Sequence, residues 1–247
     1  MSEATGKIDR LSLRRRPAGV PVMRQNWGKL LFMHWPIRSE LLRPLIPRRL
    51  TIDTYEGDAW IGVVPFTMWG VRPSFAPPMP YLSQLHELNV RTYVHLDGVP
   101  GVWFMSLDAN SALAVWGARR FFYLPYFNAR MSLRQHSRTI DYHSRRTHAK
   151  APPADFDATW TVGEPLTQSE PDSLTFFLTE RYCLYAARRE QVYRCRIFHP
   201  SWPLCRADVS SYRSTMIESH GLPTPAGEPL LHCAEALEVA VWPLRRV

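Results

Sequence analysis

Lysine is almost missing from this chain. It occurs at Lys7, Lys29 and Lys150 and nowhere else, so nearly all of the 30 basic residues are arginine. A guanidinium stays protonated at any physiological pH and neither attacks a carbonyl nor forms an imine, which confines amine chemistry to three positions. Glycine is also sparse, 12 residues against 22 prolines. Frequent proline interrupts long helices and favours short strands joined by turns, so the chain reads as β-rich. The four cysteines, Cys183, Cys195, Cys205 and Cys233, form no Cys-x-x-Cys pair and have no histidines at zinc spacing. They are expected as reduced thiols of a cytoplasmic protein, with neither a metal nor another cofactor. No apolar run approaches the ~18 residues of a membrane span. The polar N-terminus, ending in Arg14-Arg15-Arg16, lacks the apolar segment of a signal peptide. A soluble chain with no membrane contact is expected.

What remains is ordinary globular material. The 247 residues are 45% hydrophobic and 21% charged, with aromatics at 12%, enough to bury one substantial core. Residues 1–25 carry no hydrophobic period and read as a flexible basic tail, leaving 26–247 as a single domain. A net charge of +8 permits an anionic partner. The arginines are scattered, however, with no basic helix and no nucleic-acid motif, which argues against nucleic acid and for a solvated basic surface. A small anionic molecule fits better, and self-association into a homo-oligomer stays open.

Element by element, residues 27–35 read as a strand and Ser39 as the cap of a short helix over 40–45. Residues 50–55 and 59–69 suggest a hairpin around Glu56-Gly57-Asp58, its second arm apolar on both faces. The four prolines of 71–80 suggest an ordered loop. Further strands are expected over 138–145, 160–162, 191–198 and 236–242. Asp208 is placed as the cap of a helix over 209–219, ended by Gly221. Glu180 and Arg181 are expected to form an internal ion pair.

The centre of the chain is residues 81–131. Alternation there puts Glu87, Asn89, Arg91 and Tyr93 on one face of a strand, and Leu88, Val90, Thr92 and Val94 on the other. The second face suits a core. The first carries a carboxylate, a carboxamide and a guanidinium, which a plain solvent face does not need. Asp97-Gly98 signals a hairpin, residues 101–108 form the returning strand, and an Ala-rich turn over 109–118 delivers Arg119 and Arg120 into a third, aromatic strand. Glu87, Arg91, Asp108 and the arginine pair are thereby brought within reach of one another. Asp108 is expected chiefly as the cap of that turn. Glu87 and Arg91 lie about 13 Å apart along the strand and could bracket a small polar ligand. His34 and His199 are the acid/base candidates by residue type, each also readable as a packed histidine. No spacing assembles His34, Glu87 and His199 into a metal site.

Several stretches together carry a resemblance: His34-Trp35-Pro36, Gly57-Asp58-Ala59-Trp60, Val64-Pro65-Phe66, the run from Glu87 to Val94, Ser106-Leu107-Asp108-Ala109, Leu124-Pro125-Tyr126, Leu178-Thr179-Glu180-Arg181-Tyr182 and Trp202-Pro203-Leu204. They resemble the YqjF-like bacterial family of unknown function, itself distantly similar to acetoacetate decarboxylase. The resemblance implies an α+β fold, a mostly antiparallel β-barrel or cone with a few short helices and an internal ligand cavity. Acetoacetate decarboxylase pairs a glutamate with a Gly-x-Pro-Lys-Lys run, one lysine of which forms a Schiff base with a β-keto acid. Glu87 matches the glutamate, but Gly117-Ala118-Arg119-Arg120 stands where the lysines should be. The resemblance therefore implies a cavity for a small, keto-acid-like anion without the covalent step. In that reading Arg119 holds the carboxylate, Glu87 is the acid/base, Arg91 steers charge, and Tyr126 and His34 complete the pocket. Arg120 would point away from Arg119 in an extended chain.

Overall fold

The structure, a computed structural model, describes residues 8–77 and 84–247. The chain opens with β1 (Met23–Ile37), α1 (Ser39–Leu42), β2 (Thr51–Ile52), β3 (Ala59–Pro73), β4 (Gln84–Leu96) and β5 (Val99–Ala109). It continues through α2 (Ala112–Gly117), β6 (Tyr126–His136), β7 (Thr139–Arg146), β8 (Asp155–Pro165) and α3 (Leu174–Thr179). It closes with β9 (Cys183–Arg188), β10 (Gln191–Phe198), β11 (Leu204–Ser214), β12 (Leu230–Val241) and β13 (Arg245–Arg246). The high proline content is met by strands and turns, with α2 and α3 of six residues each the longest α-helices among the described residues.

All strands join one mixed sheet that curls back on itself. Its order is β13-β10-β9-β5-β6-β7-β8-β11-β12-β1-β3-β4-β2, and extra pairings of β5 with β4 and β10 with β12 make it ring-like. Pairing is antiparallel except where β5 meets β6 and β9. Closing the sheet on itself satisfies most of its edges internally, the usual remedy for exposed strand edges. β4 and β5 are joined by Asp97 and Gly98, both left-handed at φ 51° and 75°, as the hairpin signal requires. β1 carries an extra residue at Lys29, φ 51°, where its register with β3 shifts between Gly28 and Met33.

The alternation of β4 decides where the core ends and the hollow begins. Leu88, Val90 and Val94 sink into the main core beside Tyr142, Phe156 and Trp160, all less than 1% exposed. Burying each such side chain stabilises by about 1.5–3 kcal/mol. Leu85, Glu87, Asn89 and Arg91 face the other way and line a half-open pocket. Both faces of β4 are thus covered, which is why its burial is nearly continuous.

Several expectations need correction. Residues 50–55 do not pair with β3. β2 is two residues long and pairs with β4, and only Tyr55 and Asp58 bridge across the tight turn at Glu56-Gly57. Ser39 is the first helical residue and not the cap, Arg38 occupying that position. The proline-rich stretch continues β3 as far as Pro73, and its residues 78–80, like 81–83 of the central stretch, lie outside the described residues. The helix expected after Asp208 is strand β11, because a period of two along Cys205, Ala207 and Val209 pairs with β8 and half-buries those residues. Gly221 does end the short 3-10 turn that follows, at φ 74°. Residues 8–22, expected loose, are tied down: Leu13 is buried, Arg10 forks onto Asp53, and Trp242 donates its indole N–H to Ala18 O.

Candidate functional site

The cavity has a volume of about 720 Å³ and mostly apolar walls. That size is in the range that holds a drug-sized molecule. β1, β3, β4 and β5 build one side, α2 and the residues after it cover the mouth, and Thr179, Arg181, His199 and Trp202 close the far end. Exposure grades along it. Phe75, Leu113, Trp116 and Phe121 are 90%, 55%, 58% and 59% exposed, whereas Glu87, Asn89, Arg91 and Arg181 are each below 10%. Met68 and Leu85 pair at the mouth end of the β3–β4 ladder. From Leu85 to Arg91 the strand advances by about 20 Å, so Arg91 lies deep.

Glu87 sits on the cavity wall with its carboxylate accepting the Tyr126 hydroxyl at 2.5 Å. Burial drives its pKa up to about 7, against the opposing hydrogen bonds of Tyr126 and Asn89. Tyr142 donates to the Glu87 backbone oxygen at 2.9 Å, which pins the strand behind the carboxylate. Asn89 Oδ1, two residues on, is buried without a partner.

Arg91 donates one N–H to Leu178 O at 3.1 Å and lies over the rings of Phe32 and Tyr93. Its Nε is buried with no acceptor, and among the described residues no carboxylate lies within ion-pair distance of it. Arg181 also lines this end. It donates Nε to Phe177 O and Nη1 to Asp53, while its Nη2 is buried without a partner. Its guanidinium lies over the same Tyr93 ring, 4.6 Å from the centroid. Asp53 is left below the usual carboxylate range: burial pushes it up, but Arg181 and Arg10 outweigh that. Of these two buried guanidinium groups only Arg181 has a carboxylate partner, Asp53, and each keeps an unmet donor. Such groups are costly unless something accepts from them.

The remaining sequence candidates fall elsewhere. Arg119 and Arg120 do not enter a strand. They sit in a helical turn, Ala118–Phe122, that continues α2 and ends at the left-handed Tyr123. Arg119 is exposed, donates to Tyr126 O at 2.7 Å and lies over Phe127; Arg120 is exposed over Phe121. Neither head group belongs to the cavity wall. The aromatic run Phe121-Phe122-Tyr123 suggested a strand, but Phe121 and Phe122 line the cavity mouth while Tyr123 packs on Tyr193.

His34 is fully buried and lies outside the cavity wall, stacked on Phe32 with Nε2 2.7 Å from the Tyr93 hydroxyl. Burial, with help from Arg91, holds its pKa well below the ordinary histidine value, so it stays neutral. It needs Gly62 above it, since a Cβ there would approach its ring to 2.7 Å. Asp108 does not cap α2, whose cap is Ser111; it is fully buried and takes three hydrogen bonds from Arg146. Glu180 does not pair with Arg181 either: it accepts from the Tyr182 hydroxyl and from Trp202 N. Among the described residues no three His, Cys, Asp or Glu side chains gather, so His34, Glu87 and His199 remain apart. His199 does reach the cavity, held by Nδ1 against Pro200 O at 2.7 Å and stacked on Tyr182. Arg181 and Asp53 went unassigned to the site from sequence, although Arg181 stands within one of the stretches that carry the resemblance.

A family model described as an uncharacterized conserved protein, DUF2071, matches residues 24–238. The uncharacterized protein YqjF of Bacillus subtilis (strain 168) is 43% identical over 231 residues, covering 93% of this chain and 94% of that protein. Among solved structures, the enduracididine biosynthesis enzyme MppR complexed with pyruvate matches 93% of this chain and 91% of its own, with a TM-score of 0.64 at 10% identity. An acetoacetate decarboxylase-like enzyme from Sphingomonas wittichii RW1 matches 92% and 93%, with a TM-score of 0.61 at 9% identity. Acetoacetate decarboxylase from Legionella pneumophila matches 94% and 88%, with a TM-score of 0.62 at 12% identity. At such identities the likeness is one of fold, and the fold is acetoacetate decarboxylase-like. Among the described residues, no helix is long and apolar enough to cross a membrane. The chain belongs to the DUF2071 family.

Proposed function

We propose that the cavity receives a small anionic molecule of keto-acid type, held by Arg91 at the deep end and exposed to Glu87 as the acid/base group. The observation that carries this reading is the unmet Nε of Arg91, a buried permanent cation with no carboxylate beside it. A ligand carboxylate supplies both the acceptor and the counter-charge, and Arg181 Nη2 offers a further donor. In this reading Arg91 takes the place that the resemblance assigned to Arg119. Glu87, pushed up to about 7, exchanges a proton near neutrality, which suits an acid/base group. The pyruvate bound by MppR is a ligand of the same chemical class.

The reaction, where there is one, does not run through a Schiff base. Lys7 lies outside the described residues, neither Lys29 nor Lys150 lines the cavity, and a guanidinium cannot take the lysine's part. Incubation with acetoacetate or pyruvate followed by borohydride leaves the intact mass unchanged, and calorimetry detects pyruvate binding that Arg91→Gln removes. A stable adduct, or binding indifferent to Arg91→Gln, contradicts the reading.

A second reading, a binding protein without turnover, draws on the weakness of the nucleophiles. Cys183, a thiol in the wall, is pushed up to about 12 by burial. A keto-acid turnover assay separates the two, since only the first reading predicts a product dependent on Glu87.

A further inference from the structure

The proposed anion site occupies one end of a hollow far larger than a short keto acid. A pocket of about 720 Å³ lies in the range of drug-sized ligands, well beyond what pyruvate or acetoacetate fills. Most of the polar groups sit in one part of it: Glu87 and Asn89 on β4 with Tyr126, then Arg91, Thr179, Arg181 and His199 at the deep end, with Gln25 and Arg72 apart from them. Towards the mouth the walls are Leu30, Val64, Phe66, Met68 and Leu85, with Arg72 the one charged residue of the outer lining, beside Pro73 and Phe75. Water in such a space finds few partners, whereas an apolar chain finds a continuous surface.

The spacing of the charged groups points the same way. Arg91 and Glu87 are about 13 Å apart along β4, and the Arg91 head group is anchored on Leu178 O over the Phe32 ring. A three- or four-carbon acid seated on Arg91 leaves most of the cavity empty. The rim also has an unusual character. Leu113, Trp116, Phe121 and Phe75 stand exposed around the opening while belonging to its lining. Large apolar side chains cost solubility when left bare, and a ligand tail leaving the cavity would cover them.

From this polarity we infer that the ligand is an amphipathic carboxylate, its head on Arg91 and Arg181 and a long apolar tail running past Met68 and Leu85 to the Leu113–Trp116–Phe121 rim. The inference rests on the anion site proposed above and adds the tail.

A ladder of straight-chain acids, from acetate through butanoate and octanoate to dodecanoate, tests it by calorimetry below the micelle concentration, with dodecan-1-ol as the uncharged match. Affinity is expected to climb about threefold to fourfold per added methylene until the tail reaches the rim. Dodecanol should bind at least tenfold more weakly than dodecanoate, and Arg91→Met should erase that preference. Leu113→Glu, on an exposed residue where folding is not at stake, should weaken dodecanoate at least tenfold and leave butanoate unchanged. A flat ladder, with short acids as tight as long ones and still dependent on Arg91, overturns the tail and leaves the anion site standing. A rising ladder shared equally by the alcohol and indifferent to Arg91→Met overturns the head group and, with it, the amphipathic carboxylate.

Discussion

Tyr126 donates its phenolic proton to Glu87 across 2.5 Å, linking the start of β6 to the centre of β4 at the cavity wall. The bond favours the charged carboxylate and so opposes the burial that raises it. Tyr126→Phe removes the donor. A hydrogen bond to a charged group is worth about 1.5–3 kcal/mol, so the Glu87 pKa should rise above 7 by about one to two units. Carboxyl carbon NMR follows the titration directly, and a fall or an unchanged midpoint contradicts this balance of terms.

Glu87 also couples proton uptake to folding. Its native pKa, about 7, stands above its ordinary 4.5, so between those values the native state holds a proton that the unfolded chain has released. The contribution is complete below about pH 4.5 and is lost as pH rises through 7, about 3 kcal/mol at 1.36 kcal/mol per unit. Burial holds His220 down to about 4, which acts in the opposite sense and weakens the fold as pH falls below the ordinary histidine range. The difference between wild type and Glu87→Gln isolates the glutamate. Denaturant titrations from pH 5 to 8 should show the variant gaining on wild type as pH rises.

Arg91 is predicted to trade stability for binding. Without a ligand it is a buried cation lacking a carboxylate, and Leu178 O, its acceptor, also receives the Tyr93 hydroxyl at 2.7 Å. Arg91→Met fills similar space and frees the fold of the desolvated charge, so the unliganded variant should be as stable as wild type or more stable by on the order of 1 kcal/mol. Destabilisation by several kcal/mol in urea would mean that the guanidinium is structural.

Asp53 should behave in the opposite way. Its side chain is fully buried and takes Arg10 at 2.6 Å through both oxygens and Arg181 at 2.7 Å. Asp53→Asn leaves Arg181 without its counter-charge and releases the N-terminal segment, at a cost of about 3–5 kcal/mol. Faster proteolysis between residues 8 and 22 would accompany the loss, and an unchanged urea midpoint would rule the network out as a stabilising element.

The legible parts of this molecule were those written at short range. A period of two puts Glu87, Asn89 and Arg91 on one face, because a half-core strand has no other way to hide Leu88, Val90 and Val94. Asp97-Gly98 declared its turn because few other pairs accept two left-handed residues. Arg119 was misread because a helical turn and an aromatic strand share the same local composition, and only α2 settles which forms. Asp208 was misread because a good cap residue is equally at home on the exposed face of an edge-facing strand. The Asp53–Arg181 pair spans 128 positions of sequence, and no local pattern announces such a contact. The cavity itself was implied by resemblance; its grading from charged floor to apolar rim came only with the fold.

The account stands or falls on where a ligand carboxylate comes to rest. A crystal structure with a bromine-tagged long-chain acid locates head and tail separately. The account predicts carboxylate oxygens within about 3 Å of Arg91 Nε and the bromine near Trp116. A carboxylate on Arg119 at the outer surface, with the deep end of the cavity unchanged, would contradict it.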